Sequence, residues 1–180
     1  MRSTMLLALA LAFPLSACAP KLERNVPADR VYRLTPPTLE VAVALPVDLL
    51  VLDPVVAPGL ATQRIATLWP GNRLDYYASA RWSGTLGAVV QGATVEALSA
   101  AGALRHVQAE PGRFGATHLL GLELRRFEAD YAGGAPPVAR VAIAATVARY
   151  DRRLPLAAFT ASAEVPAAED TLGAVTTALD

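Results

Sequence analysis

His118 to Glu128, HLLGLELRRFE, sets Leu120, Leu122 and Leu124 in alternation with Gly121, Glu123 and Arg125. A period of two is the signature of a strand with one buried and one exposed face. Residues 138–150 alternate again, with Val141, Ile143, Ala145 and Val147 on one side. A third run extends from Leu156 to Val165 and is closed by Pro166. Between the first two lies DYAGGAPP (130–137), whose glycines and prolines fit a loop and neither a helix nor a strand. Three alternating runs joined by turns predict an antiparallel meander.

Upstream, the period changes. From Thr85 to Ala101 the apolar residues Leu86, Val89, Val90, Ala93, Ala97 and Ala100 fall on one broad helical face. Ser83 is a suitable N-cap and Gly102 a suitable stop. Gly87 and Gly92 weaken this helix but suit close packing on a sheet. Pro70-Gly71-Asn72 separates two short runs, Gln63–Trp69 and Arg73–Tyr77, which predicts a hairpin. Leu104–Val107 reads as a short strand, and so does LEVAVAL (39–45), which Pro46 ends. Val31–Leu34 alternates until Pro36-Pro37. Val47–Gly59, interrupted by Pro54 and Pro58, is expected to be irregular or an edge stretch. Asp170–Asp180 predicts a second helix that buries Leu172, Val175 and Leu179. The order describes one α/β domain (α+β is the other description): a mixed, largely antiparallel sheet with two packed helices.

The chain has 180 residues, 53% of them apolar and 18% charged, which excludes a disordered or fibrous protein. Sixteen basic and sixteen acidic residues cancel, so no general attraction to nucleic acid is expected. Two histidines and one cysteine are too few for a zinc site of the Cys/His kind, and an intrachain disulfide is impossible. Neither a phosphate-binding Gly-Lys-Ser/Thr loop nor a G-x-S-x-G elbow occurs. His106 and His118 have no carboxylate at ligand spacing. Glu123 and Glu128, five apart on one alternating strand, are expected on opposite faces and unable to converge on one bond. No catalytic residue, metal or cofactor is therefore expected.

The N-terminus, MRSTMLLALALAFPLSAC (1–18), places Arg2 before an apolar run of eleven residues, Met5–Leu15, and then small residues. The run is too short to span a bilayer, which needs about 20 residues. Residues 1–17 read as a signal peptide. Leu15-Ser16-Ala17-Cys18 resembles the bacterial lipobox, and Cys18 is the only cysteine. The resemblance implies diacylglycerol on the Cys18 thiol, cleavage before it, and acylation of the new N-terminus by a palmitate-type chain. Three acyl chains would hold firmly, where one holds marginally. Residues 18–29, polar and with two prolines, are expected to be a tether, and 30–180 the domain. Ala19, where Asp would favour the inner membrane, points to the outer membrane.

Two surfaces are candidates for contact. Arg125, Arg126, Arg149, Arg152 and Arg153 gather in the meander, where they protect a sheet edge or face an acidic partner or lipid headgroups. Pro46–Pro58 is too apolar for a solvated loop, and Tyr76, Tyr77 and Trp82 crowd one stretch. Leu50, Val55, Tyr76 and Tyr77 are the proposed contact residues for a partner or a second copy.

The lipobox at Cys18, Tyr32-Arg33-Leu34, LEVAVALPVDL (39–49), RLDYY (73–77), Arg81-Trp82 and LELRRFEADY (122–131), in that order, resemble the ABC-type transport auxiliary lipoprotein family. Residues 136–150 and the alanine-rich C-terminal helix complete the pattern. The resemblance implies a non-enzymatic, periplasm-facing lipoprotein of the outer membrane. Its implied partners are an MCE-type substrate-binding protein and, through it, an ABC permease and ATPase for lipid transport; self-association stays open. Two other readings remain: an assembly or structural lipoprotein of the outer membrane, and a lipid carrier with an internal cavity.

Overall fold

The computed structural model describes residues 28–41, 43–110, 112 and 115–180. The signal peptide, Cys18 and the tether up to residue 27 lie outside the described residues. The elements are β1 (Arg30–Tyr32), β2 (Leu45–Val51), β3 (Val55–Val56), β4 (Arg64–Trp69), β5 (Arg73–Trp82), α1 (Leu86–Ala100), β6 (Leu104–Gln108), β7 (His118–Asp130), β8 (Val138–Arg149), β9 (Pro155–Pro166) and α2 (Leu172–Leu179).

All nine described strands form one open sheet organised around β7. On one edge β7 pairs with β8 from His118↔Arg149 to Asp130↔Val138, and β8 pairs in turn with β9. This is the antiparallel meander expected from the alternation. The other edge of β7 is shared by three parallel strands. β2 takes His118–Leu120, β3 takes Glu123–Leu124, and β4 takes Glu128–Asp130. The sheet therefore forks: β6 extends it beyond β2, while β5 and β1 extend it beyond β4. The antiparallel pairings of β7, β8 and β9 carry most of the paired residues, although most of the separate pairings are parallel.

Arg125 is an extra residue in β7. Leu124 lies opposite Ile143 and Arg126 opposite Ala142, so Arg125 has no partner of its own. Such a bulge shifts the alternation by one residue. Before it, Leu120, Leu122 and Leu124 enter the core; after it, Phe127, Ala129 and Tyr131 do. The bulge thus places Glu123 and Glu128 on one face, in register with Ala144 and Arg140, which corrects the expectation of opposite faces. The two carboxylates still cannot act on one bond. Four residues of β8 separate them, about 14 Å of strand, against about 5–10 Å for a carboxylate pair.

Both helices cover the same face of the sheet. α1 packs on β2, β3 and β6, and α2 on β7, β8 and β9. Leu86 and Val90 of α1 join Leu172, Val175 and Leu179 of α2 in one core with Val51, Ile65, Trp82, Val107 and Leu124. Trp82 is 1% exposed and meets Phe127 edge-to-face at 5.7 Å. Gly87 is where α1 comes closest: a Cβ there would stand 3.2 Å from Val56, whereas nothing lies within 4 Å at Gly92. Only the first of the two glycines serves close packing. The α1 N-cap is Thr85, not Ser83, and α2 is capped by Thr171, whose Oγ1 accepts from Ala174 N at 3.3 Å.

Two expectations upstream are overturned. LEVAVAL is not a strand among its described residues before Leu45; β2 begins there and runs through Pro46 to Val51. A register irregularity between Leu45 and Asp48 accommodates the proline. The first half of Val47–Gly59 is accordingly no edge stretch but a strand between β6 and β7. Leu49 and Val51 face the helices, while Leu50 is 4% exposed on the other face. A parallel strand buried on both faces reads as a continuous apolar run, without alternation.

The bulge makes a sharp prediction. Deleting Arg125 would swing Phe127, Ala129 and Tyr131 off the core face and abolish cooperative thermal unfolding. Arg125→Ala, which keeps the extra residue, should melt close to the unmodified chain. Equal melting of both variants by circular dichroism would show that the bulge sets nothing.

Candidate partner-docking surface

Among the described residues, the face of the sheet away from the helices is left open, and its two ends differ. At one end, β7, β8 and β9 carry a ladder of charge in which Glu128, Arg140 and Glu164 stand side by side. Arg126 holds Glu128 at 2.6 Å and Asp130 at 3.3 Å. Arg140 contacts Asp130 at 2.8 Å and is also paired with Glu164. Glu128 and Asp130 are buried, and both are satisfied further by backbone donors: Phe127 N at 2.7 Å and Ala132 N at 2.8 Å. Removing either arginine would leave a carboxylate short of a partner where water cannot replace it. Arg126 is therefore structural.

At the other end the open face is apolar. Leu50, Leu52, Leu119, Gly121, Thr146 and Ala148 line a groove of about 460 Å³. Tyr150, Arg153 and Pro155 form its rim at the β8–β9 turn. Leu154 and Leu156, both more than half exposed, flank that turn. The other basic residues are locally neutralised: Arg125 pairs with Glu123, and Arg149 and Arg152 with Asp151. The arginine next to each holds the Glu123 and Asp151 carboxyls below their ordinary range. Of the five arginines, Arg126 thus belongs to the cluster around the buried carboxylates, Arg125, Arg149 and Arg152 to solvated pairs on Glu123 and Asp151, and Arg153 lines the groove.

The four residues singled out for contact do not form one patch. Leu50 is the buried floor of the groove. Val55, in the short β3, is 68% exposed. Tyr76 donates its hydroxyl to Gly59 O at 2.8 Å and lies under the Arg64 guanidinium at 4.1 Å. Tyr77 turns toward the core and meets Tyr131. His118 Nδ1 lies 2.9 Å from Thr117 Oγ1, and Asp48, beside β6, is paired with Arg105.

Sequence reasoning missed a hydrogen-bonded chain on the helix side. Tyr131 donates to Asp170 Oδ1 at 2.7 Å, so the proton between Tyr77 and Tyr131, 2.7 Å apart, belongs to Tyr77. Trp69 stacks on Tyr131 at 4.4 Å and donates Nε1–H to Thr67 Oγ1. The chain ties the end of β7 to the segment that starts α2. Its signal was the shifted apolar phase after Leu124, which brings Tyr131 inward.

Among the described residues no group of acidic, histidine or cysteine side chains is arranged to hold a metal ion. No described helix is long and apolar enough to cross a membrane.

The architecture defines a class: a single α/β domain that shields one face of its sheet with helices and presents the other. The chain belongs to the family of ABC-type transport auxiliary lipoprotein components, whose model matches residues 32–180. Its fold is shared with protein XCC0632 from Xanthomonas campestris, of family DUF330, at 23% identity and a TM-score of 0.77, covering 83% of this chain and 85% of that one. An uncharacterized protein is similar at 14% identity and a TM-score of 0.66, over 84% and 89% of the two chains. Lipoprotein GNA1162 from Neisseria meningitidis, at 16% identity, covers 73% of this chain and 92% of its own with a TM-score of 0.44. No curated protein matches the sequence.

Burial raises the pKa of both Tyr77 and Tyr131 above the usual tyrosine value of 10.0. A group protonated more tightly in the folded state loses its contribution as pH rises past the unfolded value. These two should therefore ionise above the ordinary tyrosine range, and stability should fall above about pH 10. Spectrophotometric titration of the phenolates checks this. Tyr131→Phe should remove one late-titrating group and cost about 1–2 kcal/mol in urea unfolding.

Proposed function

We propose that this chain is a non-enzymatic, lipid-anchored adaptor of an ABC-type envelope transport system. It holds the periplasmic, MCE-type substrate-binding component of a lipid transporter at the outer membrane. The observation that carries the reading is the family match over residues 32–180 behind a lipobox whose cysteine is the only one in the chain. Cys18 is the acylated residue on this reading, residues 1–17 are removed, and 18–29 tether the domain. Val55 and the rim of Tyr76 supply contacts; Leu50 and Tyr77 support them from within.

A second reading has one observation in its favour. The groove over Leu50 and Leu119 is of the size range of a small-ligand site and apolar at its floor. Direct lipid binding would use it.

Cys18→Ala should abolish incorporation of labelled palmitate and release the chain from the envelope. Val55→Asp should leave unfolding unchanged and weaken co-purification with the permease, the ATPase and the substrate-binding component. Leu50→Asp should unfold the domain, because an unpaired charge buried there costs several kcal/mol. Label in the Cys18→Ala chain overturns the anchor. Full co-purification by the Val55→Asp chain removes Val55 from the contact. Saturable uptake of a fluorescent fatty acid, displaced by Gly121→Leu, would move the function to the groove.

A further inference from the structure

β9 is hydrogen-bonded on one side only. Its inner edge pairs with β8, and among the described residues no strand lies beyond it in the sheet. The phase of its backbone can be fixed. Ala167 N donates to Pro137 O at 2.9 Å, and the same register runs on unbroken from Val165↔Ala139 to Ala157↔Val147. Odd-numbered residues of β9 therefore turn their backbone groups toward β8. The N–H groups of Ala158, Thr160, Ser162 and Glu164 point outward, away from the sheet.

This edge lacks the usual protection. All twelve residues of β9 are exposed, among them Phe159 at 58% and Val165 at 44%. Its one charge, Glu164, is tied to Arg140 of β8. β6, at the opposite margin, places Arg105 and His106 within five residues. Long edges poor in charge are templates for another strand. Pro155 and Pro166 lie at the ends of β9, so the stretch between them has a complete row of donors.

We propose that β9 pairs antiparallel with β9 of a second copy, about a two-fold axis that passes Ala161 normal to the sheet. The sequence of the strand is self-complementary in that register. Thr160 faces Ser162 of the second copy, and Ala158 faces its Glu164; these are the hydrogen-bonded pairs, and they use the outward N–H groups of Ala158, Thr160, Ser162 and Glu164 on both chains. On the helix face, Phe159 lies opposite Ala163 of the second copy and Ala157 opposite its Val165, each bulky residue against an alanine. Pro166 falls opposite Leu156, outside the bonded stretch. No like charges meet, and a hydroxyl pair sits beside the axis, both of which favour cross-strand pairing. An axis normal to the sheet keeps each face on its own side, so the two sheets join into one, as an isologous contact requires. A strand from another protein would need to bring this complementarity; a second copy carries it already. The pairing is independent of the transport reading.

The test uses the full chain with Cys18→Ser, so that acylation does not hold copies together. Sedimentation velocity should show a dimer. Ser162→Pro removes an outward N–H that bonds nothing within the copy, and should raise the dissociation constant about tenfold or more, with the circular dichroism spectrum unchanged. In the same background, Ala161→Cys should cross-link under mild oxidation. Residues paired without hydrogen bonds across antiparallel strands have Cα atoms about 4.5 Å apart, within disulfide range. Arg152→Cys, in the β8–β9 turn, should not cross-link. A monomer at the highest concentration the chain tolerates would overturn the proposal. So would a dimer that is indifferent to Ser162→Pro and in which Ala161→Cys stays reduced.

Discussion

A strand has two hydrogen-bonding edges, and in this molecule one strand must satisfy both over thirteen residues. β7 meets that demand unequally. One edge is taken by β8 alone; the other is divided among β2, β3 and β4, each holding two or three residues. Short strands cannot form a stable sheet by themselves. Here each is aligned by the same long neighbour, so the fork in the sheet, the seat of α1 on β2, β3 and β6, and the burial of Trp82 against Phe127 all follow from the length of β7. The bulge at Arg125 lets one strand serve both arms. It realigns the inward side chains where β3 gives way to β4.

The two faces of the sheet are made by different forces. Beneath the helices the core is aliphatic and aromatic. On the open face, burial falls instead on Glu128 and Asp130, held by Arg126 and Arg140. Such a cluster contributes little net stability, since the cost of desolvating the charges offsets most of their attraction. It does penalise slippage: moving β8 by one residue would carry Arg140 to the helix side and leave Arg126 alone to hold Glu128 and Asp130.

The meander was legible because β7, β8 and β9 alternate over many residues, and α1 because its apolar face repeats at helical spacing. The bulge left a trace, since the inward series 120, 122, 124 resumes at 127, but two adjacent arginines hide the slip in a region that looks polar either way. β2 was illegible for two reasons. Alternation in LEVAVAL imitated a strand, while the true strand contains Pro46 and a continuous apolar run. A proline normally ends a strand, and here a local irregularity of register absorbs it. The parallel partners of β7 were out of reach because no local pattern states which strands meet. The tyrosine chain needed the bulge first. Of the contact residues, the apolar signal in Pro46–Pro58 was genuine, yet it came from a strand covered on both faces at Leu50 and from an exposed side chain at Val55.

β1 enters the sheet at the margin remote from β9, with β5, β4, β7 and β8 between them. Five steps of about 4.8 Å put the root of the domain about 24 Å from that far edge. From Cys18 to Arg30 the covalent chain can extend at most about 40 Å. On the reading of Cys18 as the lipid attachment point, the domain is attached by one corner and lies within that distance of the bilayer. Two copies joined through β9 would be moored at opposite outer corners, about 50 Å apart. Such a raft has its long axis held roughly parallel to the membrane, and loses the freedom to turn that a singly leashed domain keeps.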